Sequence, residues 1–170
     1  NPAESSGDCI LIPARGTTWN GTAFDEYLLL ELYTPTGLNE LDSKTKYSYS
    51  DQGYTSAGIR LLHVDSRVAK VTLNSSGNVK SLSYFTSVPS SLLSSSTTFC
   101  VIPQSNTPSR RYVETGNTGY NLVSMIQAGH PENTFRYGEN QGDNDNLFTT
   151  GSSYTQAAYS SFFANKTLLD

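Results

Sequence analysis

The stretch from Arg67 to Thr86 carries the strongest local signal of structure in this chain. Apolar residues alternate with polar ones on both sides of a short break, at Ala69, Val71, Leu73, Leu82 and Tyr84. An alternation of period two is typical of a half-buried strand. The break, Asn-Ser-Ser-Gly-Asn at positions 74–78, supplies residues that tolerate a positive φ in a tight turn. This stretch therefore predicts a β-hairpin.

Other short apolar or aromatic runs, separated by turn residues, predict further strands. These runs are Cys9–Ile12, Phe24–Tyr33, Ile59–Val64, the segment at Cys100, Tyr112–Glu114, Gly119–Ile126 and Phe135–Tyr137. Thr115–Thr118 predicts a second hairpin turn, because its glycine can adopt a positive φ. Strands at this spacing, with turn chemistry between them, favour an all-β fold: an antiparallel β-sandwich or barrel with long surface loops and at most one or two short helices.

Three segments do not give a clear strand pattern. Leu38–Ser56 is polar and predicts a long surface loop or a weak edge strand. Val88–Leu93 predicts one helical turn at most. Ser153–Phe163 opens with a capping-box pattern and then places aromatic and alanine residues on one helical face, which favours a short helix, although a strand fits nearly as well.

Length and charge limit the classes of partner. A chain of 170 residues is long enough for one domain with a real core, so we expect a single domain, excised from a longer polypeptide. Only 15% of its residues are charged and its net charge is -4, which argues against nucleic acid as a partner. The longest apolar run, Tyr27–Leu30, is too short to cross a bilayer, so we expect no membrane insertion.

The two cysteines lie in similar surroundings. Cys9 and Cys100 each begin a short apolar run that a proline ends, so both are expected on short buried strands. If the strands lie side by side, the sulfurs come within bonding range and can form a disulfide. The alternative is two buried free thiols that act as small hydrophobic groups.

Catalytic signatures are weak. The chain has no G-x-S-x-G nucleophile motif. His63 and Asp65 lie two apart on a predicted strand and share a face, but the simpler expectation is a partly exposed histidine beside a solvated aspartate. Three carboxylates, Asp25, Glu26 and Glu31, lie near one strand, which is common at strand starts and does not define a glycosidase pair. We therefore expect no catalytic residue, no cofactor and no enzymatic activity.

A metal site has equally little support. Two histidines and two distant cysteines offer none of the short ligand spacings of zinc sites. Asp143 and Asp145 resemble the start of a calcium loop but lack its downstream glutamate, so a solvated turn is the preferred interpretation.

Binding is the better-supported class of function. Aromatic faces and planar polar groups together recognise sugars and protein surfaces. Candidates on predicted loops or strand ends are Trp19, Asn20, Arg110, Tyr112, Tyr120, His130, Arg136 and Tyr137. Sequons at Asn20, Asn74 and Asn165 would mark surface positions if the chain follows a secretory route.

Several of these segments resemble the protruding spike domain of a non-enveloped virus capsid, and most specifically an astrovirus spike. They are Trp19-Asn20-Gly21-Thr22 leading into the Asp25–Tyr33 strand, Thr36-Gly37-Leu38 after it, and the run from Val64-Asp65-Ser66-Arg67-Val68 to Asn78. The resemblance covers about half of the chain. It implies an antiparallel β core, a homodimer on the virion surface, attachment to a host-cell receptor of protein or glycan nature, and exposure to neutralising antibodies. It also implies assembly in the cytoplasm, with free thiols and unused sequons.

Two further hypotheses stand beside the spike. A bacterial fimbrial or secreted carbohydrate-binding adhesin, which would be extracellular, predicts the disulfide between Cys9 and Cys100. A remnant of a glycan hydrolase predicts residual turnover of glycosides.

Overall fold

The computed structural model describes residues 9–13, 19–48, 52–112, 121–130 and 144–163. Within these ranges seven strands form two antiparallel sheets, so the prediction of an all-β fold is confirmed. The strands are β1 (Ile10–Pro13), β2 (Glu26–Tyr33), β3 (Gly58–Asp65), β4 (Ala69–Leu73), β5 (Val79–Tyr84), β6 (Thr98–Val101) and β7 (Val123–Ile126). The α-helices are α1 (Glu40–Lys44) and α2 (Ser160–Phe163), and 3-10 turns occupy Gly37–Asn39, Pro108–Arg110 and Asn144–Asn146.

The predicted hairpin is confirmed as β4 and β5. The two strands pair antiparallel with Val71 opposite Leu82, and their register shifts near Leu73. The turn closes because the Asn74 side-chain oxygen accepts backbone hydrogen bonds from Ser76 and Asn78, at 3.0 and 2.9 Å. Gly77 adopts a φ of 81°, a conformation that residues with a side chain rarely take.

The hairpin belongs to a three-stranded sheet of order β5-β4-β6, in which β4 is the central strand. β6 pairs antiparallel with β4 and places Phe99 opposite Val71. Because neighbours cover both edges of β4, its apolar side chains are the most protected in the sheet: Ala69 and Val71 are fully buried.

The other sheet has four strands in the order β1-β2-β3-β7. β2 and β3 agree with the predicted strands, and within the described residues β1 and β7 form the edges. β1 differs from its prediction in burial, since Ile10 remains 63% exposed and Ile12 is also exposed. The prediction of a buried strand is wrong here because an edge strand has a neighbour on one side only.

The cysteines also differ from expectation. Cys9 is free and exposed, and Cys100 is free and half-buried. β1 pairs with β2, whereas β6 pairs with β4, so the two runs are not neighbouring strands of one sheet. The structure therefore has neither the disulfide between Cys9 and Cys100 nor two buried thiols.

The segment expected as a loop or a weak edge strand contains a helix instead. After the 3-10 turn, α1 begins at Glu40 and ends at Lys44, and these two side chains form an ion pair one helical turn apart. The hydrogen bond from Lys44, and then its charge, lower the pKa of Glu40. The prediction is wrong because five residues are too few for the apolar period of a helix to be visible.

The C-terminal helix is real but shorter than predicted. Only Ser160–Phe163 is α-helical, and the capping-box residues precede it in a turn where the Thr155 hydroxyl accepts a hydrogen bond from the Ala158 amide at 3.2 Å. Val88–Leu93 forms no helical turn. The predicted strands Tyr112–Glu114 and Phe135–Tyr137 and the turn Thr115–Thr118 fall wholly or mostly outside the described residues.

Contacts between residues divide the chain into two compact units, each assembled from three separate segments. The first unit comprises Asn1–Leu11, Leu29–Leu62 and Met125–Ala164, and the second comprises Ile12–Leu28, His63–Ser124 and Asn165–Asp170.

The core of the first unit is built around two tyrosines. Tyr33 and Tyr54 meet edge to face with ring centroids 5.1 Å apart, and Met125 and Leu147 complete the buried cluster. The Tyr33 hydroxyl donates to the Tyr54 carbonyl at 3.0 Å. The Tyr54 hydroxyl contacts the Met125 sulfur at the same distance. Each buried phenol therefore has a partner, as burial of a polar group requires.

Candidate functional site

A dense group of titratable side chains lies in the second unit. Glu26 is the first residue of β2, His63 and Asp65 end β3, and Arg67 follows two residues later. Side chains two apart on a strand share a face, so His63 and Asp65 lie on the same side of β3. Both are fully buried and Glu26 is nearly so. We call these four residues the ionic cluster.

Arg67 joins the two carboxylates of the ionic cluster. Its Nε and one terminal nitrogen donate to the two oxygens of Asp65, each at 2.8 Å. Its other terminal nitrogen lies 3.3 Å from Oε2 of Glu26. The remaining Glu26 oxygen, Oε1, lies 3.0 Å from Nε2 of His63. The bidentate pair with Asp65 is the strong form of an arginine–carboxylate contact.

Tyr84 and Gln104 cover the cluster on the side of the hairpin. The Arg67 guanidinium lies over the Tyr84 ring, 4.3 Å from its centroid, in a cation–π contact. Gln104 donates to the Tyr84 hydroxyl at 3.1 Å. Burial is the main cause of the raised pKa of Tyr84, with the Asp65 charge adding to it. The phenol therefore stays neutral above its ordinary range.

The protonation of Arg67 follows from its neighbours. Burial acts to lower the pKa of Arg67, but the hydrogen bond and charge of Asp65, together with the charge of Glu26, outweigh it and leave the pKa above its ordinary value. The guanidinium is thus a permanent positive charge between two carboxylates.

The ionic cluster corrects the expectation for His63 and Asp65. The sequence predicts a partly exposed histidine beside a solvated aspartate, whereas both side chains are fully buried. His63 pairs with Glu26 and Asp65 pairs with Arg67. The geometry therefore supports a structural role, in which the cluster fixes β2 against the end of β3.

The other carboxylates near β2 also have partners. Asp25 accepts a hydrogen bond from the Asn20 amide at 2.9 Å and another from the Glu26 amide. In the first unit, Glu31 accepts two hydrogen bonds from Arg60, at 3.0 and 2.6 Å. Each is engaged in holding backbone or sheet, so this grouping gives the glycosidase alternative no support.

Trp19 and Asn20, two predicted binding residues, take part in packing and turn formation. Trp19 packs edge-on against Tyr27, with ring centroids 5.7 Å apart. The Asn20 side-chain oxygen accepts from the amide and the hydroxyl of Thr22, and its nitrogen donates to the Phe24 carbonyl at 2.9 Å. Asn20 therefore organises the turn that leads into β2.

Arg110 and Tyr112 are exposed, as their predicted role requires. Arg110 ends a 3-10 turn, and Tyr112 is 37% exposed while its amide donates to the Pro103 carbonyl. His130 is half-buried, and its amide donates to the Gln127 carbonyl at 3.2 Å. His130 belongs to the first unit, and Arg110 and Tyr112 belong to the second.

The remaining candidates contribute no site geometry. Tyr120, Arg136, Tyr137 and Asp143 lie outside the described residues. Asp145, the other residue of the calcium alternative, is exposed in a 3-10 turn. Within the described ranges no group of three or more His, Cys, Asp or Glu side chains is arranged to hold a metal ion. In the same ranges no helix has the length and apolar character needed to cross a membrane.

Sequence reasoning missed a cleft in the first unit. It has a volume of about 390 Å³ and is lined by Ala128, Gly129, Phe148, Ser152, Ser153, Ala158 and Tyr159. Backbone pairing between Ile59 and Phe148 holds one wall against β3, with hydrogen bonds of 2.8 and 3.0 Å. The only sequence signal is the aromatic and small-residue pattern at positions 152–159, which by itself favours a helix face rather than a cleft wall.

Comparison with known proteins identifies no relative of the chain. No protein-family model, no curated protein and no solved structure matches the chain.

Proposed function

We propose that this chain is a surface spike domain of a non-enveloped virus capsid, which attaches the virion to a host-cell receptor and is bound by neutralising antibodies. It acts as a homodimer and by contact alone, without catalysis, nucleic-acid binding or membrane insertion. The observation that carries the proposal is the exposure of large apolar side chains on segments outside the two sheets.

In the first unit these side chains are Leu38 and Leu41. Leu38 is fully exposed in the 3-10 turn and Leu41 is 63% exposed at the start of α1. Residues three apart in a helical segment are surface neighbours, so the two leucines form one apolar spot. Isolated exposed leucines are ordinary, but adjacent ones are typical of a surface that meets a partner.

In the second unit the loop after β5 shows the same property. Leu92 is 82% exposed, and Val88 and Leu93 are also exposed. The segment has no helix or strand of its own beyond a single bridge between Ser94 and Phe99. Loops carried on a rigid sheet are common sites of recognition.

The free thiols favour the spike over the secreted adhesin. A secreted adhesin is expected to contain the disulfide between Cys9 and Cys100, whereas assembly in the cytoplasm keeps thiols reduced. Both cysteines are free in the structure.

Attachment is tested with the purified, fluorescently labelled domain on a panel of cultured animal cells, by flow cytometry. We expect saturable binding to at least one line, blocked by antibodies raised against the domain. Replacing Leu38 and Leu41 with serine, or Tyr112 with alanine, should weaken binding severalfold without lowering the melting temperature, because these side chains are exposed. Lys70→Ala, an exposed position on β4, is the matched control.

Two results would contradict the proposal. One is that the domain binds saturably to none of the cell lines. The other is binding that neither antibody nor any of the three surface substitutions reduces.

A further inference from the structure

We propose that the cleft beside Phe148 and Tyr159 is a binding subsite for one uncharged sugar unit of a cell-surface glycan. This inference rests on the proposed attachment function, and it names the class of ligand and the residues that hold it. Of the predicted binding residues that the structure describes, none is among the described residues lining this cleft.

The dimensions of the cleft suit a small ligand. Its volume of about 390 Å³ lies near the lower end of the range of about 300–1,000 Å³ typical of ligand pockets. It is partly open to solvent, so a sugar bound in it can remain joined to a longer chain.

The walls of the cleft supply an apolar surface. The ring centroids of Phe148 and Tyr159 lie 6.2 Å apart with their planes tilted by 47°, and the Tyr154 ring packs against Tyr159 at 5.2 Å. Phe148 is half-buried and Tyr159 is only 4% exposed, so Phe148 offers the larger accessible ring surface. Aromatic rings pack against the C–H face of a sugar, and rings already held by neighbours need no reordering when the ligand binds.

The rim supplies hydroxyl groups. Ser152 and Ser153 are exposed lining residues. The Ser152 oxygen accepts a hydrogen bond from the Thr149 amide at 3.0 Å, which leaves the hydrogen of its own hydroxyl free to donate to a ligand oxygen. A few such polar groups beside an apolar wall are how pockets orient a polar ligand.

Charge decides between classes of sugar. The lining residues within the described part of the chain are all uncharged, so this part of the wall offers no cation to pair with the carboxylate of a sialic acid or with a sulfate. Burial, with the nearby Tyr159 as a smaller cause, raises the pKa of Tyr154 to about 12, so the supporting ring is neutral at physiological pH. Neutral hexoses and N-acetylhexosamines are therefore the expected ligands.

Small residues keep the cleft open. Gly129 has a φ of 72°, and a Cβ atom added to it would meet no atom within 4 Å. Ala158 is an exposed lining residue, whereas its neighbour Ala157 is exposed but does not line the cleft. This pair provides a substitution that fills the cleft and a matched control that does not.

The test is saturation-transfer NMR on the purified domain. The probes are the methyl glycosides of galactose, glucose, N-acetylglucosamine and N-acetylgalactosamine, with N-acetylneuraminic acid as the charged comparison. We expect transfer to at least one neutral glycoside and not to the charged sugar. Ala158→Trp should weaken that binding by about tenfold or more because the indole occupies the cleft, and Ala157→Trp should leave it unchanged. Ser153→Ala should weaken it by a smaller factor.

Each outcome decides the inference. Transfer to none of the neutral glycosides, a preference for the charged sugar, or equal binding by the two tryptophan variants would overturn it. Measuring cell attachment distinguishes failure of the proposed sugar subsite from failure of the proposed attachment function. If Ala158→Trp binds cells as the wild type does, the sugar subsite is wrong while attachment stands. If the domain binds a neutral glycoside in the cleft but binds no cell, attachment is wrong, and only sugar binding by the cleft stands.

Discussion

Arg67 shows how far a single residue can be predicted from this sequence. The spacing of His63 and Asp65 is enough to place them on one face of a predicted strand, but it does not place Arg67 beside them. Their burial is not predictable in the same way, because Glu26, which completes the ionic cluster, comes from a strand 37 residues earlier than His63. Long-range partners decide whether a charge is solvated or enclosed, and the local pattern does not contain them.

At the scale of the single residue, we predict that Arg67→Met lowers the free energy of unfolding. The substitution keeps much of the side-chain volume but leaves the carboxylates of Glu26 and Asp65 buried without their cation. Removal of one partner from a buried ion pair costs about 3–5 kcal/mol of unfolding free energy. The measurement is urea denaturation followed by fluorescence of Trp19.

The control for this prediction is Arg110→Met, which removes an exposed arginine and should change the unfolding free energy by no more than about 0.5 kcal/mol. Arg67→Lys should lie between the wild type and Arg67→Met, because lysine keeps the charge but not the two-pronged geometry. Equal stabilities of the two methionine variants would show that the cluster does not stabilise the fold.

At the scale of secondary structure, turn chemistry is predictable from the sequence and burial is not. The hairpin of β4 and β5 is predicted because its signal is local: two alternating runs and a turn with Gly77. The burial of β1 is predicted wrongly because the same apolar run can occupy a central or an edge strand. The cleft is not foreseen because its walls come from segments distant in sequence, 128–129 and 148–159.

The start of β3 yields a prediction of its own. A Cβ atom added at Gly58 would lie 2.7 Å from Cβ of Leu147 and 3.3 Å from the carbonyl oxygen of Phe148. Since those atoms belong to or adjoin the backbone, Gly58→Ala must displace the bridge between Ile59 and Phe148. We expect a loss of about 1–3 kcal/mol of unfolding free energy.

Thermal and urea denaturation check this loss, with Ala57→Ser at the exposed neighbouring position as the control. That control should remain within about 0.5 kcal/mol of the wild type. If Gly58→Ala were as stable as the control, the close approach of β3 to Leu147 would be incorrect. Because Phe148 also lines the cleft, Gly58→Ala should additionally weaken the binding of any ligand there.

At the scale of the whole molecule, composition predicts the fold class but not the partner. Tyrosine, serine and asparagine are abundant while only 15% of residues are charged, and the all-β fold agrees with that profile. The surface that another molecule covers depends on its shape and on exposed apolar groups such as Leu38. The periodicity of the sequence does not identify these groups. The homodimer therefore remains a prediction.

We predict a particle of twice the 18.5 kDa chain mass, about 37 kDa, by light scattering after size exclusion. The measured mass should fall towards that of a single chain only when the sample is diluted extensively. Because Cys9 is exposed, the measurement is made in reducing agent and repeated with Cys9→Ser, so that a chance intermolecular disulfide is not counted as association. A monomer at every concentration, with or without reducing agent, would contradict the dimer.

The interleaving of the two compact units limits how the protein can be dissected. Each unit draws on three stretches of chain that alternate with those of the other, so any single cut between Ile12 and Ser124 divides residues of both. Truncation libraries and separately expressed halves will consequently yield incomplete cores rather than autonomous fragments. Point substitution in the intact polypeptide is the sound route to mapping its surfaces.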